Sequence, residues 1–222
     1  MRVELTDVAK GRRDLALPAT SLVYRSGRAT LAIAETEQRP TVLGLIASGR
    51  MRADAGTVRL DGARASRALR RRTALIDAPD VSDPPPNVST AGMVGEELMF
   101  AGRLADPLSA RRWLDEHDLR GLARVPIGDV PATDRVRLML ELAVLRPGIE
   151  GLVLVSPDRH GGDPRAWWQL AHEFAGRGYA VLVIAGQAAA SLLTDSAEPS
   201  SPRRRPHPSG IRLRGPRPKA VR

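Results

Sequence analysis

The hydrophobic and polar positions along the chain predict strands near the N-terminus, followed by a helix. Residues 2–8 alternate as in a strand, and residues 14–34 contain two further strand-like stretches separated by a turn at Ser26-Gly27. Residues 41–49 then carry apolar side chains at helical spacing and close on a glycine, which is suited to end a helix. The first fifty residues are therefore predicted to form a strand-rich unit that leads into a helix.

The middle of the chain predicts a change from sheet to helix. This part begins with a short strand at residues 57–60, followed by a basic helical stretch at 63–72 and a buried-type strand at 73–77. Three consecutive prolines within residues 78–90 exclude a regular helix from the loop that follows. Beyond this loop the apolar spacing and an Asp-Pro start predict a helical subdomain over about residues 88–147, with helices at 91–102, about 106–119 and about 133–145.

The pattern after residue 150 is typical of a parallel sheet. Residues 151–157 and 179–186 are almost wholly apolar, as in strands that are covered on both faces. A helical stretch that begins at Pro164 separates them. Strand, helix and strand in this order predict a βαβ unit and an α/β fold.

The charge of the chain is concentrated at its end. The net charge is +9, and the residues after Glu198 include eight bases and no acid. The remainder is therefore close to neutral, and a basic binding face on the folded part is not indicated. The Ser-, Pro- and Arg-rich composition predicts a folded domain over residues 1–190 and a disordered basic tail over residues 191–222.

Several function classes are excluded by composition. The chain has no cysteine, so a disulfide framework and a thiolate metal site are impossible. No apolar run approaches the roughly 20 residues that span a bilayer, and the first residues lack the apolar segment of a signal peptide. We therefore expect a cytoplasmic protein.

The order and spacing of several short motifs resemble the ATP-binding cassette of ABC transporters. DAGTVRLDG at 54–62 is similar to the stretch that follows the family's phosphate-loop helix, and ALIDAP at 74–79 to the strand before its glutamine loop. Residues 135–157 resemble the signature helix running into the Walker B strand, and HGGDP at 160–164 resembles the D-loop. The resemblance implies an ABC-type P-loop NTPase-like α/β fold, with a mixed sheet, N-terminal antiparallel strands and a small helical subdomain. It also implies ATP and Mg²⁺ as ligands, and a membrane permease or a second cassette as partner.

The stretch that matches the phosphate loop has lost most of the required residues. Such a loop needs glycines whose N–H groups face the phosphates, a lysine, and a Ser or Thr hydroxyl for Mg²⁺. Residues 35–41, ETEQRPT, contain no glycine, and Pro40 stands at the lysine position. The resemblance places Gln38, Arg39 and Thr41 nearest to a phosphate, and only Thr41 matches the motif. The residues alone favour an ordinary solvated loop before a helix.

The other groups of the family's ATP site are also replaced. Val155 and Ser156 stand at the Walker B acids, Gly186 at the switch histidine and Ala78 at the glutamine. The signature stretch becomes VPATD at 130–134 and lacks its glycines, and no adenine-stacking aromatic stands at residues 11–13. Because each such group typically contributes several kcal/mol to binding or to the transition state, we predict no ATP hydrolysis.

Two polar residues are predicted to cap helices. The resemblance gives Asp163, the retained D-loop residue, a role across a dimer interface, whereas its position before Pro164 predicts an N-cap. Thr133 is expected to cap the helix that follows the signature stretch.

The remaining candidates favour structural roles. Ser156, Asp158 and His160 invite a hydrolase interpretation, but near neighbours on one loop rarely supply the geometry of a triad, and His160 is interpreted as a solvated loop residue. Trp167 and Trp168 at the start of a helix are predicted to pack in the core.

Three functions follow from these observations. The first is a non-hydrolysing cassette that regulates or supports a membrane permease or a second, active cassette. The second is a divergent transporter subunit that still binds ATP. The third is a membrane-surface or nucleic-acid binder acting through the basic tail, although the tail has no aromatic residues to stack on bases, which makes nucleic acid the less favoured ligand.

Overall fold

The computed structural model describes residues 1–35 and 39–195. Its strands are β1 (Arg2–Lys10), β2 (Leu17–Arg25), β3 (Arg28–Ile33), β4 (Ala55–Leu60), β5 (Thr73–Ile76), β6 (Gly151–Val155) and β7 (Ala180–Ala185). Its α-helices are α1 (Arg39–Ala47), α2 (Ser66–Arg72), α3 (Thr90–Phe100), α4 (Pro107–Glu116), α5 (Ala132–Ala143), α6 (Pro164–Gly176) and α7 (Gln187–Asp195). The predicted α/β fold with antiparallel N-terminal strands is confirmed.

The strands form an antiparallel and a parallel sheet. The antiparallel sheet has the order β2-β1-β4, and the parallel sheet has the order β3-β7-β6-β5. After the turn at Ser26-Gly27 the chain leaves the first sheet, and β3 pairs with β7 from Arg28↔Ala180 to Ile33↔Ala185. The predicted βαβ unit is confirmed, because β6 and β7 are parallel neighbours joined by α6.

The parallel sheet is covered on both faces, as its continuous apolar strands predict. Leu152 and Leu154 of β6 pack into the core beneath α5 and α6. The alternate residues Val153 and Val155 pack with α1 and the antiparallel sheet. Close contact on this side depends on Gly44 in α1, because a Cβ atom there would lie 2.7 Å from Val155 Cγ2.

The helices α3, α4 and α5 form a third hydrophobic cluster and lie within residues 88–147. Ser89 and Asp106 cap the first two of these helices, as their side chains accept backbone N–H groups of the first turn. The predicted cap at Thr133 is wrong. The helix α5 begins at Ala132 with Pro131 at the N-cap, so Thr133 already lies within the first turn.

The last residues that the structure describes form a helix that the sequence did not predict. The helix α7 starts directly after β7 and runs to Asp195, so residues 191–195 are helical and do not belong to a disordered tail. Ala189, Ala190 and Leu193 of this helix are buried. Residues 196–222, which contain the eight bases, lie outside the described residues. Within residues 1–35 and 39–195, no helix has the length and apolar character needed to cross a membrane.

Candidate functional site

The carboxyl ends of the four parallel strands meet at one edge of the sheet. The segments that follow begin at Ala34 after β3, Asp77 after β5, Ser156 after β6 and Gly186 after β7. In open parallel sheets this edge is where ligands bind. It is therefore the candidate functional site, and its polar groups decide what it can hold.

The described residues of the first segment and of the start of α1 offer little to a phosphate. Pro40 lies in the first turn of α1 and has neither positive charge nor N–H. Thr41 also lies in this helix, and its Oγ1 is buried without a hydrogen-bond partner among the described residues. Of the residues that the resemblance placed near phosphate, Arg39 begins α1, whereas Gln38 lies outside the described residues.

Carboxylates of the chain itself occupy the backbone N–H groups at the start of α7. Glu35 Oε1 accepts a hydrogen bond from Gln187 N at 3.0 Å. Asp158 Oδ2 accepts one from Gly186 N, also at 3.0 Å. These N–H groups at a helix N-terminus would favour an anion, and here the anion is supplied internally.

The segment after β5 carries the most buried charge of the site. Asp77 is 1% exposed and has φ = 56°, a left-handed conformation that is uncommon outside glycine. Its Oδ1 accepts hydrogen bonds from the Arg135 guanidinium at 2.6 Å and the Arg159 guanidinium at 3.0 Å. Its Oδ2 lies 2.7 Å from His160 Nε2. We call Asp77, Arg135, Arg159 and His160 the Asp77 cluster.

The Asp77 cluster joins three parts of the fold. Arg135 lies in α5, is 3% exposed, and also donates to the carbonyl of Ile127 at 2.9 Å. Arg159 and His160 belong to the segment after β6, and Arg159 donates to the Asp77 carbonyl at 3.1 Å. The parallel sheet, the α3–α5 helices and the loop after β6 are thus held together at one carboxylate.

The charges of the cluster stabilise its ionised state. Burial by itself would raise the pKa of Asp77, but the hydrogen bonds from His160 and Arg135 and the charges of Arg135 and Arg159 hold this pKa well below its usual range. Asp77 is therefore ionised at neutral pH and paired with cations of the same chain. It does not require a metal ion or another external cation.

The sequence interpretation of His160 as a solvated residue is wrong. Only 24% of its side chain is exposed, and its ring contacts buried Asp77. Nor do Ser156, Asp158 and His160 form a triad, because Asp158 accepts from Gly186 N while His160 contacts Asp77. No hydrolase arrangement is present in this loop.

The predicted N-cap at Asp163 is confirmed. Its carboxylate accepts a hydrogen bond from Arg165 N at 2.9 Å, and Pro164 opens α6. Its side chain is 57% exposed. The implied role of Asp163 across a dimer interface stays a prediction.

The comparisons with known proteins identify the fold. No family model and no curated protein matches the sequence. A solved structure of a Pyrococcus furiosus protein, named as the ATP-binding protein of an ABC transporter, superposes with a TM-score of 0.59 and 13% identity, covering 84% of this chain and 92% of that chain. An ATP-binding subunit of an ABC transporter gives 0.56 with 17% identity and coverages of 86% and 82%. An ATP-binding cassette of an ABC transporter in its ADP conformation gives 0.56 with 15% identity and coverages of 84% and 82%. The fold is that of the ATP-binding cassettes of ABC transporters.

The residues described at this edge do not fit ATP with Mg²⁺ in the way that the sequence resemblance implies. The N–H groups at the start of α7 are bonded to Glu35 and Asp158, and Pro40 cannot replace a lysine. Within residues 1–35 and 39–195, no group of three or more His, Asp or Glu side chains is arranged to hold a metal ion. At the described part of this edge, the three carboxylates of Glu35, Asp77 and Asp158 are bonded to groups of the same chain.

Sequence reasoning did not find the Asp77 cluster. Asp77 and Arg135 are 58 positions apart, and each lies in a stretch that resembles the cassette family without being a residue that the resemblance assigns to the ATP site. Two local signals were present. Asp77 is an acid directly after an apolar strand, and Arg135 lies among the apolar positions of a helix.

Proposed function

We propose that this chain is a non-hydrolysing cassette subunit that acts as a regulatory or structural partner of a membrane permease or of a second cassette. The Asp77 cluster carries this proposal. It fills the edge of the sheet with a carboxylate whose partners are supplied by the chain itself. A subunit built in this way keeps the cassette fold without needing a nucleotide to complete it.

The partner class is supported by the structural neighbours and by an exposed apolar patch. The neighbours are named as parts of ABC transporters. Met99 and Phe100 at the end of α3 are 57% and 59% exposed, and Leu104 and Leu108 are 80% and 66% exposed. Val81, at 50% exposure, lines a cleft of about 460 Å³ together with Phe100. We name Val81, Met99, Phe100, Leu104 and Leu108 the apolar patch and infer that the permease covers it, at the cytoplasmic face of the membrane.

The absence of hydrolysis is tested by turnover measurements on the purified full chain. We expect phosphate release from ATP with Mg²⁺ to equal the rate without protein, because the groups that orient water and stabilise the transition state are replaced. The Thr41→Ala variant should give the same result. A Mg²⁺-dependent turnover that Thr41→Ala abolishes would show that the divergent loop still works and would contradict the proposal.

The docking surface is tested by a pair of matched leucine substitutions. Leu104→Asp places a charge in the apolar patch, whereas Leu15→Asp places the same charge at a comparably exposed leucine, 73% against 80%, near the antiparallel sheet. Each variant is expressed at native level in the source organism in place of the wild type, and the fraction that co-purifies with membranes is measured. We expect Leu104→Asp to lower that fraction about tenfold, since a buried unpaired charge is costly at an interface, and Leu15→Asp to leave it unchanged. Equal co-purification of both variants would contradict the assignment of the apolar patch as the docking surface.

A further inference from the structure

A second concave surface lies at the opposite end of α1 from the candidate site. It is a groove of about 490 Å³ between the C-terminal end of α1, strand β4 and helix α2. Its size falls within the range of small-molecule sites. None of the functions above uses it.

The floor of the groove is apolar and firmly packed. Ile46, Leu60 and Leu69 line it and are 0%, 4% and 1% exposed, so they belong to the core. Met51 and Val58 also line it and are half-buried. This floor suits an apolar group of a ligand.

The rim of the groove is positively charged. Its charged residues are Arg50, Arg52, Arg64 and a single acid, Asp54, whose carboxylate is already bonded to Lys10 Nζ at 2.6 Å. Among the described residues, Arg52 and Arg64 form no ion pair. Both residues are exposed.

Further arginines lie close to Arg50. Arg50 donates to the Thr73 carbonyl at 2.9 Å, and its pKa is lowered by burial and by the charges of Arg146 and Arg70. An anion bound near Arg50 would be attracted by this positive charge.

We propose that this groove binds an organic phosphate, with the phosphate held by Arg52 and Arg64 and the apolar part of the ligand on the floor. Guanidinium groups suit phosphate because their N–H groups match its oxygens in pairs. The same chemistry is offered by a soluble phosphate ester and by the headgroup of an anionic lipid. This site is independent of the proposed transporter role and of the candidate site at the sheet edge.

Methionine methyl groups report on the groove directly. Met51 lines the groove, and Met99 lies in the apolar patch on α3. The full chain, labelled with ¹³C at its methionine methyl groups, is titrated with octyl phosphate below its micellar concentration, and octyl glucoside serves as the neutral control. We expect a saturable shift of the Met51 signal with octyl phosphate only, and no comparable shift of Met99.

Paired arginine variants test the role of charge. R52Q/R64Q removes two rim charges, and R103Q/R124Q removes two exposed charges on the α3–α5 side. The two variants therefore have the same net charge as each other, and both retain the basic tail. We expect R52Q/R64Q to weaken octyl phosphate binding about tenfold or more and R103Q/R124Q to leave it unchanged. A Met51 signal that does not move, or equal affinities for the two variants, would overturn the proposal.

Vesicles distinguish the two sources of phosphate. Sedimentation with phosphatidylglycerol vesicles is compared with phosphatidylcholine vesicles for both variants. Weaker sedimentation of R52Q/R64Q than of R103Q/R124Q supports a lipid headgroup as the ligand. Equal sedimentation, together with a saturable Met51 shift, supports a soluble phosphate ester.

Discussion

Replacing Arg135 with methionine should lower the free energy of unfolding by about 3–5 kcal/mol, because it leaves a buried carboxylate without its main partner. Asp77 is 1% exposed and would lose the hydrogen bond of 2.6 Å from Arg135. Methionine fills a similar volume, so the expected loss comes from charge and not from a cavity. Urea unfolding of the wild type and the variant measures the difference.

Two further variants separate the charge effect from other causes. Arg137→Met changes an arginine of the same helix whose partner Glu173 lies at 3.3 Å on the surface, and it should cost at most about 1 kcal/mol. The double variant Asp77→Asn/Arg135→Met should be more stable than Arg135→Met alone, because asparagine removes the buried charge and tolerates the left-handed backbone at residue 77. If Arg135→Met and Arg137→Met cost the same, the Asp77 cluster does not join the helices to the sheet.

The second large effect is expected at Trp167. This residue is 1% exposed in the core beneath the parallel sheet, whereas its neighbour Trp168 is half-buried and touches His172 edge-on. Trp167→Ala should lower the free energy of unfolding by about 3–5 kcal/mol, since a large cavity remains. The Tm should fall by roughly 10 °C. Trp168→Ala should cost less than half as much. Calorimetry of the two variants measures both, and equal losses would contradict the packing described here.

Local patterns predicted most of the fold. The continuous apolar strands at 151–157 and 179–186 became β6 and β7 because such runs need cover on both faces. The caps at Asp106 and Asp163 followed from an acid directly before proline. In these places the neighbours along the chain determine the structure.

The missing features depend on contacts between distant residues. The sequence prediction missed α7 because it started the tail at Ser191, in the middle of this helix, although the alanines of its first turn favour a helix. Burial of Ala189, Ala190 and Leu193 against the core stabilises α7. The pairing of β3 with β7 joins residues about 150 positions apart, which no local period encodes. The Asp77 cluster likewise exists only after α5 and the loop after β6 have packed beside β5.

For the candidate site, the sequence predicts which ATP-binding groups are missing, and the structure shows which groups of the chain lie there. The sequence resemblance predicts that the lysine, the Walker B acids and the switch histidine are replaced. The structure adds that Glu35, Asp158 and Asp77 have internal partners at the sheet edge. Because these carboxylates already have partners within the chain, this edge of the sheet does not require a nucleotide.

Equilibrium binding of ATP to the purified full chain, with and without Mg²⁺, tests the central claim most directly. The measurement is made on the wild type and on R52Q/R64Q, so that the groove arginines do not obscure the result. We expect no saturable binding to R52Q/R64Q up to millimolar ATP, whether or not Mg²⁺ is present. Binding at micromolar strength that R52Q/R64Q retains and Thr41→Ala loses would contradict the account and identify a divergent but functional ATP-binding subunit.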